Sequence, residues 1–209
     1  MSSKKLIFST LTDELELAVK WRRPSISIIT ARDPLRFLDL ALNLSLMATD
    51  LGLRVQHLHA TPRQFDLPLR MRDASYRNGA LFICTGFSNG GGEGDRNAYT
   101  ALNIRREWLV DLGIKAVFCP TAAEARILPR VAPDFWVFRH HAYEYPAVST
   151  ISLEKVPASN AIALRGCLDP SWLKMPVTRS TDHQAAFALK WLDGRSNSFS
   201  NNSGQKGNK

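Results

Sequence analysis

The chain has 209 residues, 44% of them hydrophobic, with a formal net charge of +8 and a pI of about 9.7. This length fits one domain, or one domain with an appendage, and the composition can supply a sizeable core. The apolar runs are far shorter than the roughly 18 residues that a membrane-spanning helix needs, so we expect a soluble protein without a membrane partner. Residues 1–10 lack the long apolar core and the cleavage site of a signal peptide.

The three cysteines, Cys84, Cys119 and Cys167, are widely spaced and form no CxxC motif. Cys84 and Cys119 lie in apolar runs, where a cysteine usually acts as a small buried hydrophobe rather than as a metal or redox group. An odd number of cysteines without metal-ligand spacing fits a reducing compartment, and we therefore expect a cytoplasmic location.

Strands and helices alternate from Ser25 to Tyr145, which predicts an α/β fold with a mainly parallel sheet. Two capping boxes, Asp13 with Glu16 and Thr121 with Glu124, mark helix starts, and Asp33 followed by a proline marks a third. Strands are predicted at 25–30, 53–59, 80–85 and 115–119, and helices at 11–21, 33–50, 67–76, 96–112 and 121–131. We expect four or five strands in a three-layer domain covering residues 1–146.

The pattern weakens after residue 146. Residues 132–136 are predicted to break the preceding helix, and short strands at 148–153 and 162–164 precede an amphipathic helix at 181–192. We interpret 147–193 as an extension packed on the first domain. The tail 194–209 is Ser, Asn, Gly and Lys with one Phe, a composition that predicts disorder.

The turn after the first predicted strand lacks every residue of a phosphate-binding loop. Residues 31–34 read Ala-Arg-Asp-Pro, with no glycine and no lysine, whereas that loop needs both. The strands at 80–85 and 115–119 do not end in the carboxylates that would hold magnesium. The glycine-rich stretch 86–94 has no lysine and follows the wrong strand. We therefore expect neither a nucleotide cofactor nor ATP hydrolysis.

Three segments carry a resemblance to a known family. ALNIRREWLVDLG at 101–113, AVFCP at 116–120 and APDFW at 132–136, followed by Arg139, resemble the degenerate P-loop-NTPase-like region near the N-terminus of bacterial multidomain signalling proteins of the STAND/TPR/CHAT type. The resemblance covers about residues 10–146. It implies a P-loop-NTPase-like fold without a phosphate-binding loop and a role in protein interaction or signal sensing.

Other chemistry finds little support in the sequence. His57 and His59 would share one face of a strand, but a metal site needs three or four ligands, and His140, His141 and His183 complete none. Asp66, Asp73, Glu93 and Asp95 lack the spacing of a magnesium nuclease, and no GxSxG motif is present. We expect no metal, no cofactor and no catalytic residues, so the chain is predicted not to be an enzyme.

The leading hypothesis is a non-catalytic adaptor or regulatory subunit in a bacterial signalling or phage-defence complex, with a protein partner. The family segments point to Arg105, Arg106, Trp136 and Arg139 as the partner interface. The competing interpretation is that the two neighbouring arginines form ion pairs within the protein and that Trp136 belongs to the core. The first alternative is a nucleic-acid-associated subunit that uses a basic surface formed by Arg22, Arg23, Arg63, Arg70, Arg72 and Arg77. The second is an enzyme with an unrecognised site near His57, His59 and Cys84.

Overall fold

The computed structural model describes residues 3–90 and 97–146. The predicted extension and tail, residues 147–209, which include Cys167, lie outside the described residues. The helices are α1 (Ser3–Lys20), α2 (Pro34–Asp50), α3 (Leu67–Asp73), α4 (Ala98–Ile104), α5 (Arg106–Asp111), α6 (Ala122–Val131) and α7 (Pro133–Phe138). The strands are β1 (Ser25–Thr30), β2 (Arg54–His59), β3 (Ala80–Thr85), β4 (Lys115–Phe118) and β5 (His141–Glu144).

The five strands form one sheet in the order β2-β3-β4-β1-β5, and every pair in it is parallel. The chain leaves β1 for the far edge at β2, returns strand by strand to β4, and then crosses β1 to reach β5. A buried parallel sheet needs apolar residues on both faces, and all six positions of β3 are buried accordingly. The predicted α/β class with a parallel sheet is confirmed.

Helices cover both faces of the sheet, so the described residues form three layers. On one face α1 and α2 pack against Ile29, Leu81 and Val117. On the other face α3 to α7 pack against Ile26, Ile28 and Phe82. Alternate residues of β1 therefore enter opposite cores, as the two-residue period of a strand requires.

The predicted start of the first helix is wrong. The helix begins at Ser3 rather than at residue 11, and Asp13 lies inside it, so Asp13 is not an N-cap. Ile7, Leu11 and Leu15 are buried on one stripe at four-residue spacing, and burial of that stripe extends the helix through the residues before Asp13.

Two further boundaries differ from prediction. The expected helix 96–112 is divided at Arg105, whose backbone (φ −106°, ψ 18°) is both the C-cap of α4 and the N-cap of α5. The preceding helix ends at Val131, as predicted, but a new helix, α7, starts inside the segment 132–136 because Pro133 occupies its first turn, where a proline needs no N–H partner. The fifth strand, β5, falls in a segment for which we predicted no strand.

Candidate functional site

Open parallel sheets bind ligands at the carboxyl ends of the strands, where the chain departs to opposite faces. Here that point lies between β1, which leads to α2 on one face, and β4, which leads to α6 on the other. Ala31 is 1% exposed and forms a parallel bridge with Thr121 across this gap. The two turns are therefore joined directly at the expected ligand position.

The turn after β1 presents a carboxylate rather than anion-binding groups. Asp33 caps α2 by accepting a hydrogen bond from the Arg36 backbone N–H at 2.9 Å, and the Arg36 side chain pairs with it at 2.9 Å. Arg32 pairs with Glu144 of β5 at 2.6 Å. Because both nearby cations face carboxylates, this turn has no excess positive charge for a phosphate.

Glu124 closes the next part of the carboxyl edge. The side chain is 3% exposed and accepts hydrogen bonds from the Thr121 and Ser88 backbone N–H groups, each at 2.7 Å. The Thr121 hydroxyl in turn accepts from the Glu124 N–H, so the predicted capping box is present. One carboxylate thus fixes both the start of α6 and the 3-10 turn Phe87–Gly90.

A polar cluster fills the carboxyl ends of β2 and β3. His59 Nδ1 lies 2.9 Å from the Thr85 hydroxyl, and Nε2 lies 3.4 Å from the Asn89 amide. Arg70 donates to the His59 carbonyl at 2.7 Å. Gly86 has a φ of +76°, and a Cβ there would lie 2.2 Å from the His59 ring. The glycine is required both by its left-handed backbone and by the imidazole beside it.

The groups of the enzyme alternative are poorly suited to chemistry. Burial lowers the pKa of His57 to about 4, and both of its ring nitrogens are buried without a hydrogen-bond partner among the described residues. Burial also raises the pKa of Cys84 well above its ordinary value, which keeps it a protonated thiol rather than a nucleophilic thiolate. Within the described ranges, no three His, Cys, Asp or Glu residues are placed to hold a metal ion.

Three of the four predicted interface residues meet around α7. Arg139 lies over the Trp136 ring at 3.8 Å and donates to the Trp136 carbonyl. Arg106 lies 5.4 Å from the Phe138 ring centroid and pairs with Asp134 and Glu107 at 3.4 and 3.5 Å. Val137, which lies between Trp136 and Phe138 in sequence, is 76% exposed. We call these five residues, Arg106, Trp136, Val137, Phe138 and Arg139, the α7 surface.

A cleft of about 500 Å³ adjoins the α7 surface at Trp136. It lies between β1 and β5 of the sheet and the helices α6 and α7, and it is open to solvent. Its lining residues are Ile28, Thr30, Arg32, Ala122, Ala125, Arg126, Trp136, Ala142, Tyr143 and Glu144. The cleft extends the α7 surface with a mixture of apolar, basic and acidic groups.

The fourth predicted interface residue, Arg105, is half-buried and contacts α3 and α5 rather than α7. It pairs with Asp66, the N-cap of α3, and its guanidinium lies 5.1 Å from the Trp108 ring centroid. These contacts hold α3 against the junction of α4 and α5. Arg105 therefore lies apart from the α7 surface.

The six arginines of the nucleic-acid alternative divide between the two edges of the sheet. Arg22 and Arg23 precede β1 at the amino edge, whereas Arg63 follows β2 at the carboxyl edge. A six-residue strand is roughly 20 Å long, so the arginines at the two edges are separated by about that length. Four of the six have internal partners, which are Glu14 for Arg23 (3.4 Å), the His59 carbonyl for Arg70 (2.7 Å), Asp73 for Arg72 (2.8 Å) and the Arg72 carbonyl for Arg77 (3.0 Å). Arg22 and Arg63 are exposed.

Sequence reasoning missed Val137 and Phe138, because a short apolar stretch gives no sign of which side chain is exposed.

No protein-family model matches the chain, and no curated protein matches it. The resemblance to P-loop-NTPase-like regions thus stays a prediction. Among the described residues, no helix has both the length and the apolar character needed to cross a membrane.

Proposed function

We propose that the chain is a non-catalytic interaction module, an adaptor or regulatory subunit of a bacterial signalling or defence complex, built on a P-loop-NTPase-like fold that does not hydrolyse ATP. The observation that carries the proposal is the α7 surface. It presents an exposed Val137 flanked by two arginine–aromatic pairs. Interfaces are enriched in aromatic residues and arginine, and their binding energy concentrates on such residues.

The state of the carboxyl edge supports a role without catalysis. Asp33 and Glu124 accept backbone N–H groups, and the His59 ring has polar neighbours on both nitrogens. Catalytic groups usually have pKa values tuned toward the working pH. The pKa values of His57 and Cys84 move away from neutrality instead.

The test is purification of the tagged chain from its native host, with and without nuclease, followed by mass spectrometry. We expect one stoichiometric protein partner that survives nuclease. Val137→Asp and Trp136→Ala should each lose that partner, because a charge or a cavity at the centre of an interface removes most of its binding energy. Leu17→Asp is the matched control, since Leu17 is also exposed, at 43%, but lies on α1 across the sheet.

The same purification separates the alternatives. If every partner disappears with nuclease and the untreated sample contains nucleic acid, the basic-surface alternative replaces this proposal. If the partner remains bound to both α7 variants, the interface lies elsewhere and the α7 surface is excluded. An activity that is abolished by His59→Ala would favour the enzyme alternative, because the adaptor proposal assigns no chemistry to that ring.

A further inference from the structure

The amino edge of the sheet holds a second cleft, at the opposite end of the strands from Asp33 and Glu124. The segments preceding β1, β3 and β4 meet there, and the Ser25 N–H donates to the Ile114 carbonyl at 2.9 Å. The cleft has a volume of about 430 Å³. Its lining residues are Val19, Arg22, Asn78, Gly79, Leu112, Gly113 and Lys115. Two of these are cationic and none is acidic.

Lys115 is the unusual group in this cleft. The residue is only 3% exposed, and its ammonium donates to the Asn78 and Gly113 carbonyls at 3.3 and 3.2 Å. An ammonium has three donors, so one remains for a further acceptor. No carboxylate of the described residues forms an ion pair with it. Buried lysines are usually paired with an anion, and burial without one lowers the pKa of Lys115.

Arg22 adds a second cation to the same cleft. Its φ of +51° makes it the one residue other than glycine with a positive φ among the described residues. Gly113 lies against it, because a Cβ on that glycine would be 2.7 Å from the Arg22 carbonyl oxygen. The positive φ belongs to the end of α1, where the Arg22 and Arg23 N–H groups donate to the Val19 and Ala18 carbonyls at 3.4 and 3.1 Å, and this helix end places Arg22 beside the cleft.

The surroundings increase the positive charge. A neighbouring cleft of about 490 Å³ shares Asn78 and Gly79 with the first and is lined in addition by Gly52, Arg54, Ser75, Tyr76 and Arg77. It too has no acidic lining residue. A concave site with several cations and no carboxylate attracts a multiply charged anion.

We propose that the cleft around Lys115 binds a phosphate monoester, with the Lys115 ammonium contacting the phosphate and Arg22 as the second cation. A monoester dianion matches two cations, and lysine is a common point-charge ligand of phosphate. The site is separate from the α7 surface, so either can be present without the other.

Titration calorimetry with inorganic phosphate at constant ionic strength tests the site. We expect saturable binding at one site per chain for the wild type. Lys115→Met should weaken it by about tenfold or more, and Arg22→Gln by a smaller factor, since charge-assisted contacts to phosphate are lost. Arg63→Gln, an exposed arginine at the other edge, should bind as the wild type does. No saturable binding by the wild type, or unchanged binding by Lys115→Met, would overturn the proposal.

Thermal unfolding without phosphate separates a ligand group from a structural one. Lys115→Met should unfold at the same or a higher temperature, because the substitution removes a buried charge that has no counter-ion. A markedly lower temperature together with unchanged phosphate binding would identify a structural lysine instead. If Lys115→Met fails to fold, weaker phosphate binding by Arg22→Gln tests the proposal instead, because Arg22 is exposed.

Two oligonucleotides of the same sequence, one with a 5′-phosphate and one with a 5′-hydroxyl, distinguish the source of the phosphate. Preference for the 5′-phosphate, lost in Lys115→Met, supports a monoester site. Equal affinity for both would reject the monoester and assign the cations to backbone phosphates, with the strong salt dependence that such contacts produce.

Discussion

The two edges of the sheet differ in how their polar groups are satisfied. At the carboxyl edge Glu124 accepts two backbone N–H groups, and the His59 ring has a polar neighbour at each nitrogen. At the amino edge Lys115 is buried with carbonyl partners alone. From β2 to the gap between β4 and β1, the carboxyl edge is closed by the protein itself, and the cleft at this edge lies beyond that gap, at β1 and β5. The amino edge keeps an uncompensated charge next to its own cleft.

The topology of a parallel sheet determines where a crevice forms, but it does not determine whether the residues in that crevice bind a ligand. Departing helices open a crevice at the carboxyl ends, but the residues placed there decide whether it binds anything. Here Ala31 bridges the crevice and Asp33 adds a negative charge. Each of the following substitutions tests how firmly the carboxyl edge is closed.

The largest effect is expected for Gly86→Ala. A left-handed backbone costs a residue other than glycine about 1–2 kcal/mol, and the new Cβ would also displace the His59 ring, which it would approach to 2.2 Å. We expect the free energy of unfolding to fall by about 3 kcal/mol in total, as is typical of overpacking combined with strain. Urea denaturation followed by circular dichroism measures this change.

Gly52→Ala is the matched control for the cost of placing alanine in a left-handed backbone conformation. Gly52 has a similar φ of +69°, but nothing lies within 4 Å of its Cβ position, so only about 1–2 kcal/mol should be lost. In a His59→Ala background, Gly86→Ala should cost no more than Gly52→Ala does, because the ring that the new Cβ would displace is absent. Equal losses for Gly86→Ala and Gly52→Ala would show that the imidazole moves freely and that this edge is not tightly packed.

The second expected effect is at Glu124. Glu124→Ala leaves the Thr121 and Ser88 N–H groups without their acceptor in a buried position, which should cost about 2–3 kcal/mol. Glu124→Gln should cost about half of that, because its single carbonyl oxygen can accept from only one side. Glu107→Ala, at an exposed carboxylate, should stay within about 0.5 kcal/mol of the wild type. A loss that small for Glu124→Ala would mean that water replaces the carboxylate and that the edge is open.

Much of the fold could be predicted because its signals are local. The strand at 80–85 is a continuous apolar run, and Thr121 with Glu124 forms the capping box that the sequence indicates. The start of α1 was not predictable from Asp13, since a capping residue inside a helix looks the same in sequence as one at its end. The burial of Ile7 and Leu11, which decides the matter, depends on contacts with α2 and the sheet.

The candidate sites were less predictable because they depend on which side chains meet. The sequence placed Arg105 with Arg106 and Trp136, yet Arg105 turns toward Asp66 and Arg106 toward Phe138. Lys115 begins an apolar run, and its position beside buried strand residues was the available sequence signal that this lysine is itself buried. Its lack of a carboxylate partner follows from the arrangement of the loops before β1, β3 and β4, which no local pattern encodes.

The smallest expected effect is at Asp33, where loss of an N-cap should cost about 1 kcal/mol. Asp33→Ala removes the acceptor for the Arg36 N–H, whereas Asp33→Asn keeps an acceptor and should lose only a few tenths of a kcal/mol. Asp33→Asn also removes the negative charge from the start of α2. We still expect no Mg-ATP binding by calorimetry, because a phosphate loop needs glycines and a lysine that the turn does not contain. Measurable Mg-ATP binding by Asp33→Asn would show that one carboxylate alone masks a nucleotide site, and the distinction between satisfied polar groups at the carboxyl edge and an uncompensated charge at the amino edge would fail.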